Sequence, residues 1–308
     1  MSTSPVHSDE EVKTGVFIAL AAYTLWGIFP VYFKWIESVA PLEVLAHRVI
    51  WAVPFGALII SARGQWGEVK RALTHRVMLS WLAVSTVCIS LNWLIYIWAV
   101  QADKIFETSL GYYINPLMFV AVSVLFLGER LRRLQTAAVV LAFVGVSYLT
   151  ISGGVFPWAA LSLAALFTGY GVIRKKVVIG AMPGLFVETT LLLPLATGWL
   201  VYLFSVQQAS FVHDGASMSL LLVLGGPVTV VPLLLFAIAA KRLTLTAIGF
   251  IQFLAPTLQF IAGVYYGEEL TPAHVVCFSC IWTAVILFSI DAIRAGKKKP
   301  LQASPAEA

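Results

Sequence analysis

Polar residues are so sparse along this chain that its pattern is read from what interrupts the apolar runs. Windows free of Asp, Glu, Lys and Arg cover Gly15–Phe33, Val77–Ala102, Thr108–Gly128, Gly215–Ala240 and Leu243–Gly267. Each suits one membrane-crossing helix of about 20 residues. Helix is the form the backbone must take there, because hydrocarbon offers its N–H and C=O groups no other partner. Leu134–Ile173 is too long for one span, and Ser152-Gly153-Gly154-Val155-Phe156-Pro157 divides it into two. Glu43–Ala62 and Gly184–Phe204 are weaker segments, each interrupted near its start by ionisable groups, and Ala273–Asp291 closes the series. The pattern predicts an all-α membrane protein with ten transmembrane helices and no room for an extramembrane domain. The acidic leader (Asp9, Glu10, Glu11) lacks the basic start of a signal peptide, so the first segment reads as a retained helix.

Composition agrees. Hydrophobic residues make up 60% of the 308 positions and charged residues 11%, with a mean hydropathy of +0.90. A soluble domain carries about 25% charged residues, so much of this surface must face lipid. Three cysteines are too few for a disulfide framework.

Charge placement sets the expected orientation. With ten spans, the termini and the loops after spans two, four, six and eight share one side. That side holds Lys13, Arg63, Lys70, Arg71, Arg76, Arg130, Arg132, Arg133, Arg174, Lys175, Lys176, Lys241, Arg242, Arg294 and Lys297 to Lys299. The opposite loops hold Lys104 alone, while Lys34 and Arg48 fall within helices. Short basic loops stay cytoplasmic, which places both termini inside. The net charge of +5 is thereby a membrane-edge feature and not a nucleic-acid footprint; membrane lipids are the expected surroundings.

The chain also repeats. An offset of about 140 residues pairs Gly27 with Gly169, Lys34 with Lys176, Pro41 with Pro183, Ala99 with Ala239 and Pro116 with Pro256. One further residue aligns Gly128-Glu129-Arg130-Leu131 with Gly267-Glu268-Glu269-Leu270. Five spans per copy is an odd number, so the second copy enters the membrane from the other side. Inverted repeats are characteristic of transporters whose substrate site lies between the halves. The expected organisation is a cytoplasmic tail (1–14), a first repeat (15–151), a second (157–292) and a basic cytoplasmic tail (293–308).

On these residues the chain resembles the EamA-type drug/metabolite transporter superfamily, over residues 15 to about 292. The run Tyr23-Thr24-Leu25-Trp26-Gly27-Ile28-Phe29-Pro30-Val31-Tyr32-Phe33-Lys34 resembles the first helix of RarD-type permeases, the group labelled chloramphenicol-sensitive proteins. So do His47-Arg48, Asn92-Trp93, Gly111-Tyr112-Tyr113-Ile114-Asn115-Pro116-Leu117 and the Gly128-Glu129 helix end. The resemblance implies an inner-membrane permease whose helices enclose a central cavity, and leaves the cargo open.

Ionisable groups inside a bilayer are costly and point to function. Arg48 lies one and a half turns into the second helix, with His47 beside it. It either holds an anionic or carboxylate-bearing substrate through bidentate hydrogen bonds, or snorkels to the interface, or pairs with Glu43 or Glu107. Glu188, in the corresponding helix of the second copy, is a candidate for proton or ion coupling, as is His47. Its alternative is a pair with Arg174 or Lys175. Among polar and aromatic residues, Tyr23, Trp26, Asn92, Tyr96, Tyr112, Asn115, Tyr170, Gln252 and Gln259 are candidates to line the cavity. Amides need partners in hydrocarbon and must face the bundle interior, where some bond helix to helix. Pro116 and Pro256 free backbone carbonyls, as hinges or as static kinks.

Other motifs are discounted. Cys277-Phe278-Ser279-Cys280, with His274 before it, lies in an apolar segment without a second pair, so no metal site is expected. Phosphate-cradling loops, His-Glu-x-x-His and nucleophile elbows are absent from the sequence. No cofactor and no ATPase subunit are implied. The expectation is a non-enzymatic secondary transporter of small organic solutes or drugs. The alternatives are a membrane enzyme acting on a lipid-linked substrate, which would need clustered Asp, His or Glu at one interface, and a non-transporting scaffold, which would need no solvated cavity.

Overall fold

The computed structural model describes residues 9–127, 131–154 and 156–297, and among them the secondary structure is helical with no strand. The chain runs through α1 (Asp9–Gly27), α2 (Phe29–Trp35), α3 (Pro41–Ala62), α4 (Trp66–Thr74), α5 (Arg76–Gln101), α6 (Ile105–Leu127) and α7 (Arg133–Gly153). It continues through α8 (Trp158–Lys176), α9 (Ala181–Ser205), α10 (Ala216–Ala239), α11 (Leu245–Ile251), α12 (Leu254–Tyr265) and α13 (Pro272–Lys297). Among the described residues, eight helical segments are long and apolar enough to cross a membrane, with α1–α2 counted as one and α11–α12 as another. The two further segments read as spans are also helical: α6 has 23 residues, and α8 has 19 and ends on Arg174, Lys175 and Lys176.

Polarity is arranged inside out. Phe17, Ile151 and Leu195 are 75%, 82% and 74% exposed, whereas Arg48, Asn92 and Glu188 are 3%, 1% and 0% exposed. An apolar exterior around buried polar groups is the arrangement of a multi-pass membrane protein.

Two segments expected as single helices are broken. The first span divides at Ile28 into α1 and α2, two residues before Pro30, and the run from Leu243 divides between α11 and α12, just before Pro256. Proline has no N–H to close the helical bond to the carbonyl four residues back. For Pro30 that carbonyl belongs to Trp26, and Gln259 Nε2 donates to it at 3.2 Å. A side chain of α12 thus replaces the bond the proline removes and ties α12 to α1. Pro116, by contrast, lies inside an unbroken α6. The amphipathic α4 fills a stretch read from sequence as loop, burying Val69 and Ala72.

The chain divides into two compact units: residues Met1–Asn115 with Trp158–Glu269, and Pro116–Pro157 with Leu270–Ala308. In the larger unit α3 packs on α9 and α10, α5 on α8, and α1 on α10 and α12. Small residues set the closest approaches. A Cβ at Gly226 would lie 2.5 Å from the Trp51 carbonyl group, and one at Gly111 would lie 2.8 Å from the Ala160 oxygen.

Acidic residues of this unit cap distant helices. Glu107 accepts from the Ala159 and Ala160 N–H groups at the start of α8, and Glu268 accepts from Phe106 N–H at the start of α6. A carboxylate suits a helix N-terminus, where free N–H groups and the macrodipole meet. Glu268 is presented by a Schellman turn: Gly267, at φ +79°, donates to Val264, and Glu268 N–H donates to Gly263. The corresponding Gly128-Glu129-Arg130 lies outside the described residues, as do Lys298 and Lys299.

In the smaller unit α7 packs on α13. Gly145 faces Cys277 and Cys280, where an added Cβ would meet Cys280 Cβ at 2.8 Å and Cys277 O at 3.1 Å. The C-x-x-C pair is thus helix packing. Arg132 and Asp291 form an ion pair at 2.6 Å.

Candidate functional site

Within the larger unit the two helix breaks border a cavity of about 430 Å³, which Phe29, Gln252, Ala255 and Pro256 help to line. It is lined by Tyr23, Trp26, Arg48, Asn92, Tyr96, Tyr112, Asn115, Tyr170, Gln252 and Gln259, so all ten residues nominated from sequence as cavity-lining come together there.

Arg48 is the polar centre of this space. It projects from α3, and its Nε donates to Thr229 Oγ1 of α10 at 3.0 Å. Thr229 in turn donates to the Gly225 carbonyl at 2.8 Å, so its oxygen is turned to accept. Gly225 lets α10 come this close: a Cβ there would lie 3.1 Å from Arg48 Cγ. The guanidinium carbon sits 4.8 Å from the Trp93 ring centre, 5.3 Å from Phe33 and 6.0 Å from Phe29. Such contacts stabilise a cation modestly without neutralising it. The acids considered as partners are engaged elsewhere. Glu43 accepts from the Ser210 and Phe211 N–H groups, and Glu107 holds α8 and lies 3.3 Å from Lys104. Among the described residues no carboxylate pairs with Arg48.

The amides around it shape the walls. Asn92 Nδ2 donates to Leu163 O at 3.0 Å and its Oδ1 accepts from Tyr112 at 3.4 Å. Asn115 donates to Ala164 O and Thr168 Oγ1, both at 3.3 Å. Gln259 accepts from Thr108 besides bonding Trp26, and Gln252 bonds back to Gly249 O. Aromatic rings line the cavity beside them. Tyr23, Trp26 and Phe236 form one cluster with ring centres 5.3–6.2 Å apart. Tyr96, Tyr112, Phe167 and Tyr170 form a chain at 5.8–6.0 Å. The Tyr96 hydroxyl is buried without a hydrogen-bond partner.

An amphipathic cavity inside a bundle of apolar helices, holding one unneutralised cation, has the form of a solute site. Comparison with known proteins decides the family. Residues 13–151 match the EamA-like transporter family. Protein RarD of Escherichia coli K12 is 44% identical over 288 residues, covering 92% of this chain and 96% of that one. The chain belongs to the EamA-like transporter family, as a RarD-type member. An uncharacterized transporter of Vibrio cholerae is 42% identical over 93% of this chain and 95% of its own length. The chloramphenicol-sensitive protein RarD of Pseudomonas aeruginosa is 32% identical over 92% and 96%. A solved crystal structure at 20% identity superposes with a TM-score of 0.59, covering 92% of this chain and 99% of that one, a likeness of fold alone.

In this RarD-type protein the other two nominated residues stand apart from the cavity lining. Glu188 of α9 is fully buried and accepts from Ser85 Oγ at 2.6 Å and Tyr170 OH at 3.3 Å. Arg174 Nη1 lies 3.9 Å from it. The pair with Arg174 is the structural alternative weighed from sequence. His47 is buried against the Phe211 ring at 4.9 Å, with neither ring nitrogen hydrogen-bonded and Glu43 at 3.9 Å. Sequence reasoning missed Thr229, which had no charge to draw attention. It also missed Arg174 as a lining residue, because it was counted with the loop after α8.

Proposed function

We propose that the protein is a secondary transporter moving small organic solutes or drugs across the cytoplasmic membrane by alternating access around the Arg48 cavity. In this reading ten spans form two inverted five-helix repeats, residues 15–151 and 157–292, with both termini cytoplasmic. Helix pairing supports the repeat. Matching α1–α2, α3, α5, α6 and α7 to α8, α9, α10, α11–α12 and α13 turns the α1–α10 contact into α8–α5, and α3–α10 into α9–α5. The contacts α3–α9 and α7–α13 each map onto themselves, and α3–α5 maps onto α9–α10. Pro54 of α3 and Pro194 of α9 occupy matching places.

The observation that carries the reading is the cavity itself. Both repeats contribute to its lining, it is amphipathic, and among the described residues no carboxylate, histidine or cysteine lines it for acid–base or nucleophilic chemistry. A transporter needs binding groups there, whereas an enzyme needs a reacting constellation. The interrupted segments at α1–α2 and α11–α12 abut the lining and give the backbone places to bend.

Sided labelling tests the arrangement. A cysteine replacing Lys70 is expected to react with an impermeant maleimide from the cytoplasmic face only, and one replacing Lys104 from the opposite face only. A cysteine replacing Phe236 is expected to react from either face in turn. Reaction of positions 70 and 104 from the same face would overturn the topology. A Phe236→Cys variant inert from both faces would overturn the alternating cavity.

A further inference from the structure

We infer that the cargo of the cavity is an organic monoanion: an aromatic or otherwise flat body carrying one carboxylate-like group, seated on the open edge of Arg48. This rests on the transporter reading and narrows it to a chemical class.

The charges around the cavity favour an anion. Apart from tyrosines, the ionisable side chains lining the cavity among the described residues are Arg48 and Arg174. Arg174 has Glu188 at 3.9 Å and donates to Gly180 O at 3.2 Å. Arg48 is 3% exposed and meets only a neutral hydroxyl and aromatic rings. A buried guanidinium without a counter-charge is unfavourable in a low-dielectric interior, and one anionic group on the cargo removes that cost.

The free donors of Arg48 favour a carboxylate-like group. A guanidinium offers five N–H groups in a planar fork. Only Nε–H is used, on Thr229. The end-on Nη1/Nη2 edge finds no acceptor among the described residues, while Trp93, Phe33 and Phe29 flank the group at 4.8, 5.3 and 6.0 Å. Two parallel N–H bonds to one carboxylate are the match for such an edge.

The other lining residues favour an apolar body behind that group. Among the described residues no carboxylate lines the cavity to receive an ammonium, and the amides of Asn92, Asn115 and Gln259 are engaged between helices. The remaining surface, the clusters around Trp26 and around Phe167, suits ring faces and methylenes. Neutral and cationic molecules of the same shape forgo the Arg48 contact, and cations add repulsion.

The test uses the full-length purified protein and probes differing only in charge: indole-3-acetate, indole-3-acetamide and tryptamine, with benzoate and benzamide as a second pair and sodium chloride as the inorganic control. Thermal unfolding is expected to shift upward with concentration for the carboxylates alone. Arg48→Gln is expected to abolish the shift while the ligand-free transition stays in place, and Arg48→Lys to keep part of it. Equal shifts from acid and amide, a shift from tryptamine, an equal shift from chloride, or no shift from any carboxylate would overturn the inference. The series within the unaltered protein keeps the test decisive even where a variant fails to fold. Flux separates this from the transporter reading. Vesicles that carry a neutral solute independently of Arg48 would sink the cargo class and leave transport standing. Arg48-dependent binding of indole-3-acetate without flux of any probe would do the reverse.

Discussion

Arg48 and Glu188 invite comparison: both are buried ionisable residues on long apolar helices, α3 and α9, and both stood out in the sequence for the same reason. Their surroundings differ. Glu188 accepts hydrogen bonds from Ser85 and Tyr170 and has Arg174 beside it. Arg48 has one neutral partner, Thr229, and an open edge toward a cavity of about 430 Å³. Burial alone does not separate a site from a strut. The number of partners left unfilled does, because a satisfied charge joins helices while an unsatisfied one waits for a ligand.

Substitutions at the two positions should therefore separate function from stability. The largest effect is expected from Arg48→Gln: solute flux should fall about a hundredfold or more, since losing one side of a buried charged contact costs about 2–5 kcal/mol. Its melting temperature should stay near that of the parent. Glu188→Ala is expected to act oppositely. It leaves Arg174 without its counter-charge and the Tyr170 hydroxyl without its acceptor, while Ser85 keeps the Leu82 carbonyl, and should destabilise the fold by about 3–5 kcal/mol, with flux per folded molecule retained. Flux in proteoliposomes, normalised to monodisperse protein, checks both. Loss of flux in a stable Glu188→Gln variant would erase the distinction and favour a coupling role.

A smaller effect concerns how Arg48 is held. Gly226→Ala, which drives a Cβ to 2.5 Å from the Trp51 carbonyl, should cost about 1–3 kcal/mol by overpacking. Gly198→Ala in α9, with nothing within 4 Å, should leave the unfolding transition unchanged. Equal transitions for the two variants would show that the α3–α10 approach does not position the arginine.

The smallest effect is a pH dependence at Glu268, the cap of α6, which lies between the spans. Burial, with Glu107 and Asp103 nearby, pushes its carboxyl up from 4.5 to about 7, against the Phe106 and Ile105 N–H groups, which pull it down. A value raised on folding means that its contribution is complete below pH 4.5 and is lost as pH rises through about 7. Glu268→Gln should flatten that part of the stability profile; an unchanged slope in thermal unfolding would contradict it.

Much of this was legible in the sequence because the bilayer leaves so few options. Apolar run lengths marked the helices, and the cost of polar groups in hydrocarbon singled out Arg48, Asn92, Tyr112 and Gln259 before their neighbours were known. What escaped depends on long-range geometry. Glu268 and Phe106 lie 162 residues apart, and nothing local tells a helix-ending glutamate that it caps another helix. Pro30 and Pro256 were visible, but whether each bends or splits its helix depends on partners such as Gln259. Arg174 passed for a loop charge because α8 runs on to Lys176. Trp66–Thr74 passed for a loop because its short apolar face needs α5 and α9 to cover it.

Exchange of radiolabelled indole-3-acetate by reconstituted vesicles, measured side by side for the parent, Arg48→Gln and Glu188→Gln, puts the contrast between the two helices to the most direct test. Saturable exchange by the parent and by folded Glu188→Gln, with Arg48→Gln no faster than empty vesicles, is the predicted result. Parent-like exchange by Arg48→Gln, or exchange abolished by Glu188→Gln alone, would contradict it.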